Sequence, residues 1–211
     1  MKRIIVIALG LIILTFAAVS AEASGLGFYG SSGSGDSDID IGPFWWLVTN
    51  STVSSSADLR TESVGLVFDT NLSEDRLFNY RLEIGKGNYT WEIAGSPETE
   101  LKQVVMTHDF GFGILRNRAV RLWLGPEIRL TRINDEANGN DYDMMGFGFG
   151  LALGLNINIK GPVTIAIKAG ALNQTVNGDV TYSDMTSDDV SSDDTVSFVS
   201  AALMFRLGES Y

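Results

Sequence analysis

Cysteine is absent from this chain, which excludes disulfide frameworks and thiolate metal sites at the outset. Histidine occurs once, at His108, and positive charge is scarce: 15 Lys and Arg stand against 26 Asp and Glu, a formal net charge of −11. A chain this acidic does not bind nucleic acid through a basic face. After residue 19 no apolar run approaches the roughly 20 residues that a spanning helix needs. If the chain enters a membrane it does so as a closed barrel, because lipid offers no partner to an open strand edge.

What is present begins with an amino terminus in three parts. Met1-Lys2-Arg3 is basic, Ile4 to Val19 is almost wholly apolar, and Ser20-Ala21-Glu22-Ala23 is rich in small residues. That is the pattern of a secretory signal peptide, expected over residues 1–23 with cleavage after Ala21 or Ala23. Its removal takes Lys2, Arg3 and Glu22, two positive charges and one negative, and moves the net charge from −11 to −12. The remainder, 24–211, is expected to form one domain.

The clearest signal lies at Gly146–Lys160, GFGFGLALGLNINIK. Its odd positions, Phe147, Phe149, Leu151, Leu153, Leu155, Ile157 and Ile159, are large and apolar, and its even positions are Gly, Ala, Asn or Lys. A period of two held this long marks a β-strand with unlike faces. Soluble strands average about 5–6 residues and carry charge on the wet face. A tall greasy face opposite minimal side chains suits a narrow barrel in a bilayer, with lipid outside and a crowded lumen inside.

Seven further segments follow the same rule, at about 25–33, 63–69, 78–85, 101–112, 120–130, 163–173 and 196–207. Polar loops at 34–62, 86–100, 134–143 and 175–195 alternate with short turns. The expected architecture is all-β, an eight-stranded antiparallel up-and-down transmembrane barrel with long loops at one end. In the fourth strand Phe110, Phe112 and Ile114 point outward, and carrying that register upward would turn His108 and Lys102 toward lipid. A bulge near Thr107 is expected to correct this.

The glycine-rich opening GLGFYGSSGSG, the segment RLWLGPEIRL and the closing SFVSAALMFRL resemble the outer membrane β-barrel family, the small eight-stranded proteins related to OmpA and OmpX. The likeness spans about Gly25–Tyr211. It implies export to the periplasm and insertion into the outer membrane of a Gram-negative bacterium, among outer membrane lipids and lipopolysaccharide. It also implies a transient partner, the barrel assembly machinery, which reads an aromatic residue of the closing strand, here Phe205 or Tyr211.

Several residue groups could carry function. Asp69, Arg81, Glu83, Asp109, Arg121, Glu127, Arg129, Lys168 and Arg206 fall on inward registers. Such a set could gate ions or could fill the barrel as a salt-bridge network. The network is expected, because buried charges demand partners and eight strands leave no wide channel. Phe147, Phe149, Leu151, Leu153, Leu155, Ile157, Leu203 and Phe205 are expected to face lipid.

The aspartates Asp188, Asp189, Asp193 and Asp194 offer hard oxygen ligands, so calcium is a conceivable guest. Solvated, mutually repelling loops are the simpler expectation. An EF-hand over Asn134–Met145 fails because Met145 stands where the bidentate Glu belongs. Loops 34–62 and 175–195 are the candidate surfaces for an extracellular partner, and no cofactor is expected. Barrels of the resembled kind that modify lipid A need a His with a Ser nucleophile. No serine lies beside His108, and Asp109 points to the opposite face. A structural or surface-interaction role is therefore expected rather than an enzyme, with a narrow channel as the second reading. Phe28, Tyr29, Trp45, Trp46, Tyr80, Phe110 and Phe112 are expected to form an interfacial girdle.

Overall fold

The structure, a computed structural model, describes residues 24–42, 53–72, 76–159 and 161–207. The signal-peptide segment, Trp45, Trp46 and Tyr211 lie outside the described residues. Eight strands follow in order: β1 Gly25–Gly42, β2 Val53–Asp69, β3 Phe78–Ile93, β4 Thr99–Arg116, β5 Val120–Ala137, β6 Asn140–Asn158, β7 Val163–Thr181 and β8 Ser187–Arg206. Each pairs antiparallel with the next, and β1 pairs with β8 from Gly25↔Arg206 to Gly42↔Asp189, which closes the barrel and leaves no open edge.

The strands are taller than a bilayer requires. They run from 16 to 20 residues, which at about 3.3 Å per residue and a tilt near 40° gives roughly 40–50 Å of wall. The apolar band of such a barrel is only about 25 Å high. Most of the extra wall is built from segments expected as loops. β1 continues to Gly42, β7 and β8 take up all of 175–195 except 182–186, and β3 and β4 leave only 94–98 between them. Between β5 and β6 only Asn138 and Gly139 remain, both at positive φ (54° and 77°), a two-residue turn that glycine suits.

Polarity inverts halfway up this wall. In the lower half, the end that carries Gly25 and Arg206, the outward side chains are apolar: Phe28, Leu66, Phe112, Phe149, Leu151 and Leu203 are all exposed. In the upper half Asp36, Asp38, Asp40, Asp58 and Asp193 face outward, while Ile39, Leu59, Trp91, Leu101, Ile133, Met144, Val176 and Val190 pack together inside. One set of strands thus carries a lipid-suited barrel below and a water-suited barrel above.

Two expectations of direction change. No bulge interrupts β4 at Thr107: its pairing with β3 runs unbroken from Phe78↔Phe112 to Trp91↔Thr99. The register shift of β4 lies between Gly113 and Leu115, against β5, so His108 and Lys102 do point outward. Tyr29 is no girdle residue, since it turns inward at 5% exposure, with its hydroxyl toward Ser63.

Candidate functional site: the filled lumen

Lys168 on β7 anchors the interior. Its Nζ donates to Glu83 Oε2 on β3 at 2.9 Å, Asp109 Oδ2 on β4 at 2.9 Å and Glu127 Oε2 on β5 at 3.0 Å. An ammonium has three donors and no acceptor, so all three are used. The carboxylates have further partners: Arg81 Nε donates to Glu83 Oε1 at 2.9 Å, and Arg129 Nη2 to Glu127 Oε1 at 2.8 Å. The Phe198 ring lies against both Arg129 (4.8 Å) and Lys168 (5.3 Å), offering its face to the cations. Arg81, Arg129 and Lys168 thus face Glu83, Asp109 and Glu127 in one buried layer. Desolvating charged groups is costly, and the contacts shared at Lys168 offset it, while Arg81 Nη1, Asp109 Oδ1 and Arg129 Nε meet no hydrogen-bond partner among the described residues.

The other three inward candidates do not join this layer. Asp69 accepts from the Asn71 backbone N–H at 2.9 Å, and Arg121 Nη1 and Nη2 donate to the Arg76 and Leu77 carbonyls at 2.6 and 3.1 Å. Both therefore hold the connection between β2 and β3, whose Leu72 is folded up into the barrel with no exposed surface. Asn158 Nδ2 reaches the Leu72 carbonyl at 3.0 Å and completes the cap on the lower mouth. Arg206 binds the carbonyls of Ile159 and Gly161 at the β6–β7 turn. Alternation assigns a residue to a face and says nothing of its depth, which is why one set of nine resolves into three groups.

Glycines of β6 make room for bulk from the neighbouring strand. A Cβ at Gly154 would lie 2.1 Å from the Trp123 ring, so this indole fills the space a side chain would need. Above the charged layer a cavity of about 20 Å³ touches Tyr29, Ser63, Thr107, Arg129, Lys168 and Ser200. That is space for one or two waters, not for a conduit. Higher still, Asp194 is buried and accepts from Ser37 Oγ at 2.7 Å and Tyr89 OH at 2.5 Å, beneath the apolar cluster of the upper half. Continuing the parity of β8 from Ser200 through Phe198 would have found Asp194 in the sequence.

The four candidate metal aspartates are dispersed. Asp194 points inward, Asp193 points outward to accept from Thr175 Oγ1 at 2.7 Å, and Asp189 stands beside Asp179 on the outer wall. Among the described residues no group of three or more acidic or histidine side chains is placed to hold a metal ion, and the three carboxylates that converge in the lumen are taken up by Lys168. His108 faces outward, with Nδ1 2.7 Å from the Tyr80 hydroxyl.

No family model matches the chain, and no curated protein matches it. Among solved structures it is similar to the outer membrane protein OprG from Pseudomonas aeruginosa, at 13% identity and a TM-score of 0.62, over 89% of this chain and 98% of that one. The chain has the fold of an eight-stranded outer membrane β-barrel. Neisserial surface protein A also aligns, at 15% identity over 82% of this chain and 95% of that one, but with a TM-score of 0.34. At these identities the likeness carries the barrel's fold alone.

Proposed function

We propose that this is a bacterial outer membrane protein whose role is structural or surface-interactive, a barrel that presents its acidic upper wall outside the cell. Both strand termini would then lie on the periplasmic side, with the polar wall above the lipopolysaccharide. The reading rests on one observation above all, the inversion of polarity at mid-height. An exposed apolar band in water is an aggregation hazard, whereas in lipid it is the required solvent-facing surface. The upper strands and their turns, including 34–42, 53–62 and 175–195, are the surface available to a partner.

The lumen supports this role over transport. Leu72 caps the lower mouth, the Lys168 layer occupies the middle and an apolar cluster the top. The expected result in a planar bilayer is no large, steady conductance from the purified folded barrel. Steady channels would overturn the structural reading in favour of a narrow pore. Lipid A of unchanged mass on expression is expected as well, since the His108 ring pairs with a tyrosine rather than a serine.

A further inference from the structure

In the lower half of the barrel the outward positions form a nearly uniform surface. On β3 and β4, below the outward Lys86 and its ladder partner Val104, they are aliphatic, Phe or Met, with two exceptions, Tyr80 on β3 and His108 on β4. The two exceptions are partners: the Tyr80 hydroxyl lies 2.7 Å from His108 Nδ1, with ring centroids 6.0 Å apart. The outward apolar run of β4 extends from Val104 to Ile114. At about 2.6 Å of height per residue, His108 sits roughly 10 Å below its top and 16 Å above its bottom. The outward Lys86, ladder partner of Val104, marks the upper edge of the band, and His108 lies below it, within the hydrocarbon. An ionisable side chain at that depth is expensive.

Counting donors shows what the pair lacks. A neutral tyrosine and a neutral histidine bring one donor each. One donor makes the bond between them. The second, His108 Nε2–H or the Tyr80 O–H according to tautomer, meets no acceptor among the described residues. Each unmet polar group in hydrocarbon costs several kcal/mol, and lipid chains at this depth supply no acceptor. The Tyr80 oxygen, by contrast, keeps an accepting lone pair.

The pair is therefore self-complementary. We propose that Tyr80 and His108 form the centre of a lateral contact between two copies of this chain, related by a two-fold axis along the membrane normal. His108 Nε2–H of each copy donates to the Tyr80 oxygen of the other, an arrangement in which the same patch satisfies itself. Leu82, Ile84, Met106, Phe110 and Ile128 surround the pair and supply the apolar packing. The contact rests on the membrane reading given above.

The chain has no cysteine, so single introduced thiols report the contact cleanly. Met106→Cys, two residues from His108 on the same face, and Ile167→Cys, on the opposite wall, are reconstituted separately in liposomes and treated with a short bismaleimide. Insertion of each is checked by heat-modifiable gel mobility. The expected result is covalent dimer from Met106→Cys well above the collisional level set by Ile167→Cys. Adding His108→Leu or Tyr80→Phe to the Met106→Cys protein is expected to lower it by roughly five- to tenfold, the factor that two membrane-embedded hydrogen bonds supply. Equal cross-linking at both walls, no cross-linking in inserted barrels, or indifference to both second substitutions overturns the contact alone. A chain that fails to insert overturns the membrane reading, and the contact with it.

Discussion

Lys168 on β7 and Glu83 on β3 stand on opposite walls of the barrel, and their side chains meet across its interior, Nζ to Oε2, at 2.9 Å. Because the same ammonium also serves Asp109 and Glu127, it ties three strands to a fourth. Replacing it by Lys168→Met leaves three buried carboxylates with Arg81 and Arg129 alone. Breaking a buried ion pair from one side costs about 3–5 kcal/mol. The expected outcome is a lower urea midpoint for unfolding from lipid vesicles, partly recovered by adding Asp109→Asn.

Trp123 and Gly154 are a second linked pair. The indole occupies the place of a side chain at 154, so Gly154→Val is expected to destabilise the barrel by about 1–3 kcal/mol through overpacking. A double-mutant cycle with Trp123→Leu tests the cause. The cost at 154 should largely vanish once the ring is gone, since residues sharing one space are not additive.

How far the sequence led depends on where the wall stands. At Gly146–Lys160 lipid outside and small residues inside keep the alternation unbroken, and the strand was legible at sight. On β1 above Gly33 the inward row includes Gly35 and Ser37 before Ile39, and on β8 it includes Ser192 and Asp194. Polar residues then fall on both faces, the period fades, and strand reads as loop. The Lys168 layer was legible as a set of inward charges. Its separation from Asp69, Arg121 and Arg206 was not, because depth depends on strand register. Register also hid the reason why β4 needs no bulge: Tyr80, one strand away, is the partner that accommodates His108 in lipid.

Asp179 stands on the outer wall above the apolar band, between Asp143 on β6 and Asp189 on β8 in one ladder row. Desolvation first, then the hydrogen bond and charge of Asp189 and the charge of Asp143, hold its carboxyl above the ordinary value. A raised native value means that the folded state holds this proton more tightly than the unfolded chain. Its contribution to stability is present below the ordinary carboxylate range and is lost as pH rises through the raised value. Asp179→Asn is expected to raise stability at pH 7 by about 0.2–1 kcal/mol, the scale of a cross-strand like-charge pair. At pH below the carboxylate range the variant and the parent should have the same urea midpoint. A variant less stable at pH 7 would show the row to be favourable instead.

The central claim is that one strand of this barrel separates lipid from a filled interior, and site-directed labelling along β6 tests it most directly. Single cysteines at Leu151, Ala152 and Leu153 are introduced into the cysteine-free chain, and the folded protein is placed in lipid vesicles. Spin labels at 151 and 153 are expected to be accessible to oxygen and not to a water-soluble nickel chelate, and the thiol at 152, on the packed inner face, to resist a water-soluble maleimide. Nickel access at 151 and 153, or rapid labelling at 152, would contradict the account.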